Sequence, residues 1–488
     1  MNLIIPQLNF AAILPELIVF GTAVVVLVME LFTPEGEKDH LAYISLLGIL
    51  LALFASLALW GGDSPDFQGM LVADDFSLFF NCIFLIAAAL GILVAVDYIK
   101  QEGIDHGEYY VLILFATTGM MLMAASTNLI IIYMGLEILS LPLYILAAFE
   151  QRLLKSIEAG LKYFLLGAFA SAFFLYGTAL IYGATGTTDL TALAAHLSGQ
   201  GGAHPGAMLL VGAGLLVVGF GYKVGVAPFH MWMPDVYEGA PTSVTAFMSV
   251  GAKPGGFAAF LRTFIFALPS LEPDWQFLLA VLAVLTMIIG VVVALAQTNI
   301  KRMLGYSGVA HAGFILVGLV AGNTLGAAAV LFYLLAFTFT NFGAFAVIIA
   351  LERRENKRLE LKDYSGLGYR YPVLGAALSL FMLSLAGFPA TAGFLAKFHV
   401  ISAAVQAGLV PLAVVGVLCS VIAAFLYIRV IAYMYMRPEV EEPMTARLSL
   451  TLGAALLFST WGTLHLGLLP SAVLEWAMRS VATLLGTG

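Results

Sequence analysis

Fourteen runs of roughly twenty apolar residues leave this chain few folds to choose from. They lie near 11–32, 41–60, 76–98, 109–126, 128–149, 157–183, 207–235, 240–266, 276–298, 303–321, 326–351, 372–406, 409–436 and 447–468. A run of that length crosses the hydrocarbon core of a bilayer as a helix. Inside that core every peptide group needs an internal hydrogen bond, which helices and closed barrels alone supply. Composition agrees: 61% of the 488 residues are hydrophobic and 10% are charged, against about 25% charged in soluble domains. The sequence predicts an all-α integral membrane protein of about 14 transmembrane helices. A short amphipathic tail, 471–486, with Glu475, Trp476 and Arg479, is expected to lie at the membrane interface.

The basic residues give an independent reading of topology. Loops after odd-numbered runs hold Lys38; Lys100; Arg152 and Lys155; Lys301 and Arg302; the group from Arg353 to Arg370; and Arg429, Arg437 and Arg447. Loops after even-numbered runs hold almost none, with Arg262 at a helix end and Arg479 in the tail. Positive charge stays on the cytoplasmic side, so both termini are expected on the other. The opening, Met1 to Phe10, has no basic n-region, so the first span is expected to stay rather than be cleaved. Residues 184–206 read as an outer loop, and 352–371 as a basic inner loop and candidate hinge.

Several chemistries are excluded. Cys82 and Cys419 lie in separate apolar runs, which rules out a disulfide framework, a thiolate iron–sulfur cluster and a cysteine zinc site. There is no Walker loop, and the Gly-rich stretch 212–221 sits inside a span, where small residues serve close helix packing. The net charge of −8 arises from carboxylates clustered in a few loops, and no nucleic-acid partner is expected.

Two runs are too interrupted for one straight helix. The seventh contains Pro228 and Pro234, the twelfth Gly387, Pro389 and Gly393. Interior proline removes a backbone hydrogen bond and clashes with the preceding turn. Carbonyls freed at membrane depth must then be satisfied by protein or water. The breaks lie five runs apart, and an odd offset reverses orientation, so helices 4–8 and 9–13 are expected to form two inverted five-helix repeats with broken helices 7 and 12. The echo of Ala227-Pro228-Phe229-His230 in Ala396-Lys397-Phe398-His399 points the same way. Simple proline kinks are the plainer alternative.

Four charged side chains are sunk in apolar segments: Glu137, Lys223, Lys253 and Lys397. Each costs about 2.5–3.5 kcal/mol on insertion scales, so it is expected to face a partner or a water-filled path. Glu137 and Lys223 are natural partners, and a lysine whose carboxylate can move becomes a switchable proton carrier; a static ion pair is the alternative. Lys253 has no obvious carboxylate of its own. His230 follows Lys223 by seven residues and could relay protons across the break. His311 sits beside Tyr306 and Ser307, where it serves either relay or packing; His399 and His465 have weaker claims. Glu158 and Lys162 have the favourable i, i+4 order, for an interfacial salt bridge or a place on an entry path. Asp74, Asp75 and Asp97 flank the third run, and Glu16 and Glu30 the first, as end markers.

The stretches MGLEILSLPLYILAAF, KVGVAPFHMWMPDVYEGAPTSVTAFMSVGAK and QTNIKRMLGYSGVAHAGFILVG resemble the antiporter-like membrane subunits of respiratory complex I, and among them the subunit N family of NADH:quinone oxidoreductase. The resemblance covers essentially the whole chain. It implies a module with helices 1–4 in residues 1–127, an antiporter-like core in 128–430, and helix 14 with the tail in 431–488. It implies Glu137 and Lys223 as a coupling pair, Lys253 as the central lysine, Lys397 leading to the outer exit, and His230 and His311 on a hydrated axis between them. Lysine at 397 argues against subunit M, which resembles this chain but has glutamate there, and the chain ends too soon for the long arm of subunit L. No cofactor is expected here; NADH, FMN, iron–sulfur clusters and quinone would belong to partner subunits. The implied partners are a neighbouring antiporter-like subunit, small membrane subunits and the lipid of a bacterial inner membrane. A multisubunit sodium/proton antiporter, or a hydrogenase-type membrane arm, shares the charged axis and is the alternative.

Overall fold

A computed structural model describes residues 9–486 apart from 35, 63, 67–68, 200–205, 353–358 and 439–445. It is helical nearly throughout. The N-terminal part contains α1 (Leu14–Glu30), α2 (Asp39–Ala58), a two-stranded hairpin β1 (Ser64–Asp66) and β2 (Leu71–Ala73), α3 (Asp75–Glu102) and α4 (Glu108–Ala125). Next come α5 (Leu129–Ala147), α6 (Leu154–Thr185), α7 (Leu190–Gly199), α8 (Ala207–Val224), α9 (Trp232–Gly239) and α10 (Thr242–Leu261). Then follow α11 (Glu272–Leu295), α12 (Ile300–Val320), α13 (Thr324–Leu351), α14 (Leu367–Arg370), α15 (Pro372–Ala386), α16 (Ala392–Gln406) and α17 (Val410–Met436), and finally α18 (Leu450–Leu468) and α19 (Ser471–Leu484).

Every apolar run named above is occupied by helix. Among the described residues, ten helices are long and apolar enough to cross a membrane alone, or eleven if α18 and α19, bent by 84°, form one span. The protein is thus a multi-pass, all-helical membrane protein. α10, α12 and α13 form its centre, buried almost all round, while α2, α6, α11 and α17 turn apolar faces outward. A helix that is hydrophobic on every side belongs inside such a bundle.

Both interrupted runs break by the same device. α8 ends at Gly225 (φ +82°), with the Val226 N–H returning to the Gly221 carbonyl. α15 ends at Gly387 (φ +88°), with the Phe388 N–H returning to the Leu383 carbonyl. Each is a left-handed glycine cap, a conformation that costs other residues about 1–2 kcal/mol. This register corrects the echo noted in the sequence. Pro228 and His230 lie in the break, whereas Lys397 and His399 lie inside α16, so the two strings are not equivalent positions.

A second matched device was not read from the sequence. The Asn128 side chain caps α5, and this segment pairs with the chain after α6: Leu129 N–H to Thr188 O at 2.9 Å, Leu190 N–H to Thr127 O at 2.8 Å. The Asn299 side chain caps α12, and this segment pairs with the chain after α13: Ile300 N–H to Leu359 O and Leu361 N–H to Thr298 O, both 2.8 Å. The same Thr-Asn pair thus makes the same frame twice.

Two loop expectations change. Part of the region read as the outer loop 184–206 is α7, and 200–205 lie outside the described residues. Of the candidate hinge at 352–371, residues 353–358, including Arg353, Arg354, Lys357 and Arg358, lie outside the described residues; the rest folds as a short turn and α14. The opening Met1 to Leu8 also lies outside them.

Candidate functional site

Serines, carbonyls and rings receive the charged residues of the apolar runs. Glu137, half-buried on α5, accepts a short hydrogen bond from the Ser171 hydroxyl on α6. Lys223, the penultimate residue of α8, is 2% exposed and donates to Ser140 Oγ at 2.8 Å. Ser140 stands one turn from Glu137 on α5, so the expected partners lie near one another, each bonded to its own serine and not paired directly among the described residues. A small void of about 10 Å³ beside Lys223 is lined by Ser140, Ser171 and Gly167, close to the size that holds one water. Neither serine was singled out from the sequence, since a helical serine carries no distinguishing signal.

Lys253, on α10, donates to the Gly308 carbonyl of α12 at 2.8 Å and lies over the Phe337 ring at 5.2 Å. A Cβ at position 308 would stand 2.6 Å from the ammonium, so any larger residue there would push the Lys253 head group aside. His311, one turn further along α12, is held by Tyr333 OH at 2.7 Å and Tyr427 OH at 3.1 Å; Ser307 also reaches Tyr427 at 2.6 Å. Phe337 lies 5.0 Å from the His311 ring, and Phe314 lies 6.3 Å from it. Phe314 in turn carries the Lys397 ammonium at 5.0 Å. His311 therefore sits between Lys253 and Lys397, sharing one aromatic ring with each.

Lys397, on α16, donates to the Leu385 and Ala386 carbonyls at 2.9 and 3.0 Å and to Ser420 Oγ at 3.2 Å. Those carbonyls are the ones freed where α15 stops. The first break is closed differently: the Tyr222 carbonyl accepts from Trp232 Nε1 at 3.0 Å, and the Ala227 N–H goes to Thr286 Oγ1 at 2.9 Å. His230, in that break, is buried with its ring 6.3 Å from Tyr306 and touches neither Lys223 nor Lys253 through a hydrogen bond. Among the described residues none of the three lysines forms an ion pair.

Glu158 and Lys162 do form their i, i+4 pair at 2.8 Å, as one corner of a larger cluster. Lys162 also binds Asp235 at 2.8 Å, and Arg302 binds Asp235 at 2.7 Å and Glu238 at 3.0 Å. Lys155 completes it on Glu238 at 3.0 Å, and the groups line a cavity of about 190 Å³. Both carboxylates of α9 are thereby clamped between α6 and α12. Burial alone would raise the Glu238 carboxyl, but hydrogen bonds from Lys155 and Arg302 hold it below the ordinary carboxylate range. Its contribution is full above the unfolded value, about pH 4.3, and is lost as pH falls through the lower folded value. Protection of the α9 amides, measured as exchange relative to the intrinsic rate at each pH, should therefore be constant from neutral pH to about pH 5 and fall below that, and Arg302→Ala should shift the onset upward.

The comparisons with known proteins cover the same residues. The family described as NADH:quinone oxidoreductase/Mrp antiporter, TM, matches residues 126–423. The NADH-quinone oxidoreductase subunit N of Trichlorobacter lovleyi is 48% identical, over 97% of each chain. That of Chloroflexus aggregans is 46% identical over 99% of this chain and all of its own. The chain belongs to the subunit N family. A chain of the respiratory complex I from Thermus thermophilus with bound aureothin superposes with a TM-score of 0.81 at 36% identity, covering 94% of this chain and 98% of that one. A chain of the Mrp complex from Dietzia superposes with a TM-score of 0.85 at 24% identity, covering 97% and 98%, a likeness of fold alone. All of the buried lysines of the row in this subunit N family member lie inside the matched region, together with the α6–α9–α12 cluster.

Proposed function

We propose that this chain is a proton-translocating membrane subunit of NADH:quinone oxidoreductase, moving protons along the row Glu137, Lys223, Lys253, His311 and Lys397. One observation carries the residue assignment: three buried lysines in series, each hydrogen-bonded to neutral groups and none to a carboxylate among the described residues. Hydroxyls, carbonyls and rings receive a donor whether it is an ammonium or an amine, so each lysine can give up its proton without stranding a buried anion. His311, wedged between two hydroxyls, can pass a proton by exchanging the nitrogen that carries it. His230 is a relay within the first break. The Glu158–Lys162–Asp235–Arg302 cluster forms the inner approach, and Lys397 leads outward.

Work is needed because each charge crossing the membrane gains or loses about 2.3 kcal/mol per 100 mV. Glu137, at the edge of the row and one turn from the serine that receives Lys223, is where a signal from quinone reduction would enter. Redox chemistry, with NADH, FMN, iron–sulfur clusters and quinone, belongs to partner subunits, which include a neighbouring antiporter-like subunit and small membrane subunits. The chain sits in a bacterial inner membrane with fourteen spans and both termini outside. α8 with α9, and α15 with α16, serve as broken helices 7 and 12 of two inverted repeats, flanked by 1–127 and 431–488. The matched Thr-Asn frames and glycine caps support that arrangement.

An Mrp-type antiporter is the competing reading, supported by the matching family, which spans both, and by likeness of fold. The two separate cleanly: NADH addition to inverted vesicles should acidify their interior in sodium-free buffer. A strict requirement for sodium with no response to NADH would assign the chain to the antiporter instead.

A further inference from the structure

Glu16 lies off the lysine row, in the first turn of α1, and is 5% exposed. Its side-chain partner among the described residues is Asn81 of α3, whose Nδ2 donates to Glu16 Oε1 at 3.1 Å. The other halves of both groups, Glu16 Oε2 and Asn81 Oδ1, are buried and accept from nothing among the described residues. One carboxylate oxygen, Oε2, and the amide oxygen are thus two buried acceptors without a donor. An ionised carboxylate needs several donors, and an uncompensated one in an apolar bundle is among the costliest arrangements known.

No charged group nearby among the described residues supplies the compensation. At the same end of the helices, Asp74 is engaged by Arg262 and Asp75 accepts from the Gly61 N–H. The remaining charges of α1, α2, α3 and α4 (Glu30, Asp39, Asp97, Lys100, Glu102 and Glu108) stand at the opposite end. Asn81 is thus the polar group that meets this carboxyl from the neighbouring helices.

One added proton resolves both deficits. We propose that Glu16 is a proton-binding site, holding its proton on Oε2 and donating it to Asn81 Oδ1. With the observed Nδ2–H···Oε1 bond this closes a neutral acid–amide ring of two hydrogen bonds clasping α1 to α3. No bond is broken and no partner molecule is required; the site takes one proton from water and returns it on opening. Loss of that proton sets two acceptors against each other, so ionisation and separation of α1 from α3 are the same event.

The test is infrared difference spectroscopy of the full chain in its assembled complex in lipid, at neutral pH, wild type minus Glu16→Gln. The expected result is loss of one band in the carbonyl-stretch region of a protonated acid, a band that shifts in heavy water. Loss of carboxylate bands with nothing in the acid region overturns the proposal. Should Glu16→Gln fail to assemble, Asn81→Ala removes the donor to Oε1 without touching the acid. The acid carbonyl band must then move to higher frequency, and its absence or immobility also overturns the proposal.

Discussion

Lys253→Met should abolish NADH-driven proton movement while the chain accumulates normally, and Lys253→Arg should do the same. The methionine variant loses one hydrogen bond, to the Gly308 carbonyl at 2.8 Å, and keeps the hydrophobic stem against Phe337. A bond of that kind is worth about 1 kcal/mol, small beside the stability of a bundle this size. Chemistry loses far more, because the path from the Lys223 side to His311 then has no ionisable group in its middle. The arginine variant is the sharper half of the pair. It retains the positive charge but cannot release a proton in a protein. If Lys253 were only a static cation, arginine would preserve function. Proton uptake by inverted vesicles, normalised to assembled complex, distinguishes the two.

Arg262→Met should be the most destabilising single change, and it should act on assembly rather than on transport. Arg262 opens a short π-helical stretch, Arg262–Ala267, after α10, with a side chain 3% exposed. Its guanidinium binds Asp74 Oδ1 at 2.6 Å and the Ala124 carbonyl at 2.5 Å, and lies 4.8 Å from the Phe76 ring. One residue thereby ties together the ends of α3, α4 and α10. Removing one member of a buried pair costs about 3–5 kcal/mol, because the other charge stays behind uncompensated. Asp74 also caps α3 through the Ser77 N–H at 2.8 Å, so Arg262→Met with Asp74→Asn should recover most of the loss, asparagine being an equal cap. Thermal unfolding of the purified complex and the amount assembled in membranes read both effects.

The contrast between these residues explains what could be read from sequence. Lys223, Lys253 and Lys397 announce themselves, since a charge amid twenty apolar residues has few structural excuses. Glu158 and Lys162 were legible because their spacing alone places them on one helical face. The breaks were legible from Pro228, Pro389 and Gly387, though not their register, which the positive-φ glycines set. Arg262 offered a weaker signal: an arginine at a helix end on the side otherwise short of basic residues. Its partner Asp74 lies 188 residues away, beyond any local pattern. Asp235, Glu238 and Arg302 likewise meet only in the folded bundle. The groups that receive the lysines were the least visible. Gly308, Leu385 and Ala386 act through backbone carbonyls, and Ser140 and Ser171 are ordinary helical serines until a lysine or glutamate is folded against them. The Thr-Asn pair before α5 and α12 was in plain view, and a search for repeated caps would have found the duplication.

The most direct measurement of the central claim is NADH-driven acidification of inverted membrane vesicles carrying Lys223→Met in an otherwise intact, fully assembled complex. Methionine in place of Lys223 would leave Ser140 bonded within α5, to the Leu136 carbonyl, and remove the first ionisable lysine of the row. The expected result is loss of acidification while NADH still reduces quinone in detergent. Acidification at the wild-type rate would contradict it and reduce the lysine row to a structural feature.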